Sequence, residues 1–158
     1  MERVPMTQDA YNRKHSEVDE LENVVMPQIA SAIAAAREEG DLKENAEYHA
    51  QREKQGMMQA RINQIKDRLA RAQIVDPADI PRDIVAFGAR VKVLDVDLDD
   101  EEIITLVGDG DENYDEGKYL ITSPIGRGLL GKKVGDVCDI EVPKGNLQFK
   151  VLEIEYED

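Results

Sequence analysis

Glu39-Gly40-Asp41-Leu42-Lys43-Glu44-Asn45-Ala46-Glu47-Tyr48 is the stretch that decides how this chain folds. On either side lies a long segment with helical composition. Upstream, Ala30 to Glu38 is rich in alanine, the strongest helix former. Downstream, Glu44 to Gln73 contains one glycine (Gly56) and no proline. Two such segments joined by a glycine turn predict an antiparallel helical hairpin with this stretch at its tip. At about 1.5 Å per residue, arms of roughly thirty residues would hold the tip on the order of 45 Å from the base.

The first arm has its start written into it. Met1 to Met6 reads as a frayed end, Thr7 as an N-cap, and Asp9 suits the positive end of a helix dipole. Tyr11, Val18, Leu21, Val25, Ile29, Ile33 and Ala36 then recur at spacings that give one packed face. Pro27 removes one backbone hydrogen bond from this helix. The apolar stripe continues past it in the same phase, so a kink is expected; two helices meeting at Pro27 is the other reading. In the second arm Ala46, Ala50, Met57, Ile62, Ile65, Leu69 and Ala72 are expected on the inner face. The outer face is basic, with Arg52, Lys54, Arg61, Lys66, Arg68 and Arg71. Such a strip is either a solvated helix face or a surface that lies along a phosphate backbone.

The chain as a whole narrows the function classes. It has 158 residues and a formal charge of −14, with charged residues at 34%. No apolar run reaches about eighteen residues, so no membrane helix is expected, and the N-terminus lacks a secretory pattern. One cysteine cannot form an internal disulfide, which fits the reducing cytoplasm. Two Phe, five Tyr and no Trp are too few for an aromatic-lined pocket or a base-stacking platform. The acidity also argues against tight autonomous nucleic-acid binding, which runs on phosphate neutralisation. The charge is uneven: residues 1–77 net −3 and residues 78–158 net −11.

Between Val75-Asp76-Pro77 and Pro81-Arg82-Asp83 two prolines stop the second arm and stiffen a linker. After it the apolar period falls to about two, the spacing of half-buried strands. Arg90–Val93, Glu102–Val107, Tyr119–Thr122, Val137–Val142 and Leu147–Tyr156 read as strands. Ser123-Pro124 begins a short helix by the N-cap and N1-proline rule, closed by Gly131. In the last strand Leu147, Phe149 and Val151 share one face while Leu152, Ile154 and Tyr156 share the other, so a β-bulge is expected at Val151-Leu152. The fold class is therefore α+β: a hairpin over residues 1–76, a linker over 77–82, and a small antiparallel sheet with one short helix over 83–158.

Asp41 and Glu44 are the candidate chemical groups. Asp-x-x-Glu at a helix start is the aspartate form of a capping box, which satisfies two orphan amides. Two carboxylates one turn apart on an exposed tip could also share Mg²⁺, which takes one or two carboxylates plus waters and phosphate oxygens. They would complete a site whose other ligands come from a partner. Tyr48, one turn past Glu44, and Asn45 would support the tip or simply pack it. His15 and His49 lie too far apart in the hairpin to share a metal. Cys138 falls in the alternation Cys138, Ile140, Val142 and reads as a buried core thiol. No phosphate-binding loop, dinucleotide fingerprint or catalytic-triad order is present.

The run Ala34-Ala35-Ala36-Arg37-Glu38-Glu39-Gly40-Asp41-Leu42-Lys43-Glu44-Asn45-Ala46-Glu47-Tyr48 resembles the tip of the bacterial Gre transcript cleavage factors, closer to the GreA type. Glu53-Lys54-Gln55-Gly56, Arg61-Ile62, Pro27-Gln28-Ile29, Pro5-Met6-Thr7 and the block Ser123-Pro124-Ile125 through Leu129-Leu130-Gly131-Lys132-Lys133-Val134-Gly135-Asp136 extend the resemblance over nearly the whole chain.

The resemblance implies a coiled-coil hairpin followed by an FKBP-like domain, in a cytoplasmic monomer. It implies an elongation factor that enters the secondary channel of a backtracked bacterial RNA polymerase and stimulates that enzyme's own hydrolysis of the nascent RNA. Asp41 and Glu44 would carry the catalysis, holding the polymerase's second Mg²⁺. Arg37, Arg52, Lys54 and Arg61 would face the RNA 3′ end, and Ser123, Pro124 and Ile125 would grip the polymerase. The rival is a Gre-like channel blocker without cleavage activity; the absence of extra acids between Gly40 and Leu42 argues against it. Gly126 and Gly128 stand where small helix formers are expected, which predicts a frayed docking helix. A prolyl isomerase reading of the second half fails for want of rings.

Overall fold

The computed structural model describes residues 2–40 and 45–156. Its contacts divide the chain into two units: Tyr11–Ala72 with Met1–Glu2, and Gln73–Asp158 with Arg3–Ala10.

The first unit is the helical hairpin. Helix α1 (Gln8–Glu20) runs into a π-helical turn at Leu21–Val25, which leads directly into α2 (Met26–Arg37). Thr7 Oγ1 accepts the Ala10 N–H at 3.1 Å, the predicted cap. The helix passes through Pro27 without ending, as the kink reading requires, but the stripe does change phase. Tyr11, Lys14, Val18, Leu21 and Val25 are buried or half-buried at three–four spacing; Met26, Ile29, Ile33 and Ala36 then continue it one residue late. The π turn accommodates that extra residue, with the Met26 N–H bonding to the Leu21 carbonyl five residues back.

Helix α3 (Ala46–Ala70) returns alongside α2. Ile62 and Ile65 are buried as expected. The distal half of the predicted inner face is not. Ala46, Ala50 and Met57 are exposed, Met57 at 61%. The covered positions are Tyr48, Gln51, Gln55, Met58, Ile62, Ile65 and Leu69, an unbroken three–four repeat. Two glutamines occupy the seam near the tip, and the apolar residues beside them misled the phase.

The second unit begins with the N-terminal residues. Strand β1 (Val4–Met6) pairs with β2 (Ala72–Ile74). The frayed start is thus a strand: Val4 and Met6 point inward, Met6 with no exposed surface. Pro5 lacks a donor, but its carbonyl accepts the Asp109 N–H at 3.2 Å and Met6's accepts the Val75 N–H at 3.0 Å. A Cβ on Gly108 would lie 2.7 Å from that Pro5 carbonyl, so only glycine permits this approach.

Strands β3 (Arg90–Asp95), β4 (Asp100–Val107), β5 (Lys118–Leu120), β6 (Val137–Val142) and β7 (Gly145–Glu155) form one sheet in the order β5-β4-β3-β7-β6. Three of its pairings are antiparallel, while β5 pairs parallel to β4 because the acidic loop after Val107 carries the chain back before it re-enters the sheet. The predicted bulge is present: Lys92 faces Glu153 and Val93 faces Val151, which leaves Leu152 unpaired. The slip turns Ile154 and Tyr156 onto the same core as Phe149 and Val151. Helix α4 (Pro124–Leu129) lies against β6, and Cys138 is buried in that core, where desolvation pushes its thiol pKa up.

The two seam phases differ in what they predict for the hairpin. Gln55→Leu should stabilise it by about 1 kcal/mol through added apolar burial, while Met57→Gln should stay within about 0.5 kcal/mol of wild type. Urea denaturation followed by helical circular dichroism measures both; the opposite ranking would restore the phase read from the apolar residues.

The hairpin tip as candidate functional site

Asn45 sets the geometry of the tip. Its backbone is extended, its Oδ1 accepts the Tyr48 N–H at 3.0 Å, and the helix follows at once. Asn45 is therefore the N-cap of α3. The described helix begins at Ala46 with Asn45 as its cap, and the Asp41-x-x-Glu44 capping box expected at the helix start falls outside the described residues. Asn45 also reaches across the turn: its Nδ2 donates to the Ala36 carbonyl at the end of α2. That carbonyl also accepts the Glu39 N–H at 3.2 Å, and Gly40 follows at φ +122°, open to glycine.

Arg37 and Tyr48 meet at the same level. The guanidinium carbon lies 5.8 Å from the Tyr48 ring centroid, within cation–π range, and His49 meets that ring edge-on at 5.5 Å. The structure thus brings together Arg37, Asn45 and Tyr48, placed in two different groups by the sequence.

The remaining basic residues divide. Arg61 forms hydrogen bonds of 3.1 to 3.2 Å with both carboxylate oxygens of Glu17, and Lys66 pairs with Glu22 at 3.0 Å. These pairs tie the arms together across the seam and are half-exposed, so each contributes little stability, about 0.2–1 kcal/mol. Arg52 bonds Gln55 at 3.3 Å on its own helix, and Lys54 is exposed. The interhelical pairing of Arg61 is not legible from the sequence, because its partner Glu17 lies 44 residues away. Among the described residues no group of three His, Cys, Asp or Glu side chains is placed to hold a metal.

In the second unit Ser123, Pro124 and Ile125 open α4. Ser123 Oγ accepts the Gly126 N–H at 3.1 Å, Pro124 is exposed, and Ile125 packs partly on the core. The expected fraying is not seen. Gly126 and Gly128 are where α4 touches the sheet side: a Cβ on Gly126 would lie 2.6 Å from the Ile121 carbonyl oxygen, and one on Gly128 2.6 Å from Ile140 Cγ1. Beyond the helix Leu130, Val134 and Val137 are exposed, an apolar group that strand alternation had assigned no role. Beside β3 and β4 lies a cavity of about 670 Å³, lined by Arg82, Arg90, Lys118, Ile103 and Thr105 among others. Its ring at Tyr156 is committed to the fold: the hydroxyl donates to the Ile84 carbonyl and accepts the Ala86 N–H at 2.9 Å, and burial raises its pKa.

A helical hairpin with a capped, cross-braced tip, joined in one chain to a curled sheet with a single short helix, is the plan of a two-part α+β factor. Comparison with known proteins assigns it. The family described as "Transcription elongation factor, N-terminal" matches residues 4–74, and "Transcription elongation factor, GreA/GreB, C-term" matches residues 80–156. The chain belongs to the GreA/GreB family of transcription elongation factors. It is 43% identical over 156 residues to transcription elongation factor GreA of Thermodesulfovibrio yellowstonii, and 46% identical over 157 residues to that of Pasteurella multocida, with 99% of each chain covered. The GreA factor homolog 1 of Thermus thermophilus is 24% identical, with 97% of this chain and 99% of that one covered and a TM-score of 0.45.

The close packing of α4 makes a sign prediction. In an exposed helix Gly→Ala is stabilising by about 1 kcal/mol, yet Gly126→Ala should destabilise the sheet unit by about 2 kcal/mol, because rigid carbonyls must move. Gly128→Ala should cost less, because the Ile140 side chain can give way. Denaturant midpoints read by a probe in the sheet unit check both.

Proposed function

We propose that this chain enters the secondary channel of bacterial RNA polymerase tip-first and stimulates that enzyme's hydrolysis of backtracked nascent RNA. It acts as an accessory factor and not as a nuclease in its own right. The observation that supports the reading is the brace that Asn45 makes between the two helix ends flanking Asp41 and Glu44 in the sequence, in a chain that aligns with GreA factors over 99% of its length.

Asp41 and Glu44 supply hard oxygen donors of the type Mg²⁺ prefers, too few to cage the ion alone. In this proposal they hold the second Mg²⁺ jointly with the polymerase, and that ion would activate the attacking water and stabilise the leaving oxygen. The chain's own part is to carry the two carboxylates to that place and fix their approach. Arg37, Arg52 and Lys54 supply positive charge near the RNA 3′ end, with Arg37 kept over the Tyr48 ring. Arg61 contributes through its brace to Glu17. Ser123, Pro124 and Ile125 grip the polymerase from a helix whose start is fixed by the Ser123 cap. The factor works as a cytoplasmic monomer. Among the described residues no helix is long and apolar enough to cross a membrane.

The test is cleavage in backtracked polymerase complexes carrying a 3′-unpaired RNA, in Mg²⁺. The wild-type chain should release short 3′ fragments well above the rate of polymerase alone. An Asp41→Asn/Glu44→Gln variant should lose about 100-fold or more of that stimulation, the scale of a lost acid–base or metal-positioning group. Binding and slowed elongation by both proteins, with no fragments above background, would instead make the chain a channel-blocking inhibitor.

A further inference from the structure

We propose that Asn45 is a positioning residue for the tip chemistry, acting through the bond it donates across the turn; this rests on the cleavage role proposed above. One side chain serves both helix ends. The Oδ1 atom caps α3 through the Tyr48 N–H, and the Nδ2 atom satisfies a carbonyl at the end of α2, nine residues earlier in the chain. Asp41 and Glu44 fall in the sequence between those two anchors, Ala36 and Tyr48, which one amide group ties together.

The bond has a second brace beside it in the Arg37–Tyr48 contact, which joins the same two helices. Farther down the arm the half-buried Gln51 and Gln55 of α3 share the seam with the buried Ile29, Ile33 and Ala36 of α2, so the packing there is apolar from one helix only. The clasp adds a directional bond to that packing at the tip. Reacting groups must be held to a fraction of an ångström, and a displacement of about 1 Å can cost on the order of 100-fold in rate. A loop with one end freed from the clasp would present its carboxylates in many arrangements, few of them productive.

Capping and clasping can be separated by substitution. Aspartate and serine are N-caps comparable to asparagine, so both preserve the bond from Tyr48. Asn45→Asp replaces the donor facing the Ala36 carbonyl with an acceptor, and Asn45→Ser is too short to cross the turn. Each variant would be titrated against backtracked polymerase, with maximal fragment release and half-saturating factor concentration measured across a Mg²⁺ series. Both variants should keep wild-type helicity and half-saturating concentration, lose about tenfold in maximal rate, and need more Mg²⁺ to reach half of that rate.

A capping role alone predicts wild-type behaviour from both, and that result would overturn the proposal. Loss confined to the half-saturating concentration would also overturn it, by making Asn45 a docking residue. A wild-type chain that releases no fragments would remove the cleavage role itself, and the positioning role with it.

Discussion

Two antiparallel helices must keep their packed stripes opposed along the whole arm, and everything else in the hairpin follows from how this chain meets that demand. On α3 the stripe is an uninterrupted three–four repeat from Tyr48 to Leu69. On the first arm the stripe slips by one residue between Val25 and Met26. In a regular α-helix the four-residue steps Leu21, Val25, Ile29, Ile33 would drift around the helix by about 40° each. The π turn at Leu21–Val25 takes up the extra residue in one wider turn and restores the alignment. Pro27, which has no N–H to donate to the Asn23 carbonyl, sits just where that turn hands over to α2, so the missing bond and the wide turn occur together.

With the stripes aligned, the helix ends meet and the tip can be closed by local bonds. The Asn45 amide joins the ends, Arg37 lies over Tyr48, and the Arg61–Glu17 and Lys66–Glu22 pairs brace the arms lower down. Specificity of register comes from these polar contacts and from Ile62 and Ile65. Toward the tip burial is supplied mainly by Ile29, Ile33 and Ala36 of α2, since Gln51 and Gln55 hold the facing positions of α3. The basic residues of the arm gain a similar double reading: some are committed to the brace, and Lys54 remains on the exposed face.

Much of this was legible from residue order. The glycine hinge, the Thr7 and Ser123 caps, the strands and the bulge at Leu152 all rest on local rules that apply over a few residues. What was not legible needed distant partners. Pro5 in a three-residue segment argued against a strand until the Asp109 and Val75 amides came beside it. Gly126 and Gly128 read as helix breakers because the carbonyl of Ile121 and the side chain of Ile140, which exclude a Cβ, are invisible in sequence. The α3 phase failed because exposed Ala46, Ala50 and Met57 are the apolar residues, and Gln51 and Gln55 are the covered ones. At the tip, Asp41, Glu44, Asn45 and Tyr48 stood out as a motif, but the second bond of Asn45 crosses a turn and follows no short-range pattern.

The central claim is that a braced tip carries its carboxylates to another protein's metal. Local hydroxyl-radical cleavage tests it directly. Fe²⁺ would replace Mg²⁺ in the backtracked polymerase complex, and radicals generated there by a reductant would cut only the nearest polypeptide. The account predicts cuts in this chain confined to the tip, around residues 38–48, with the sheet unit untouched. Cuts elsewhere in the chain, or none in a complex shown to be bound, would contradict it.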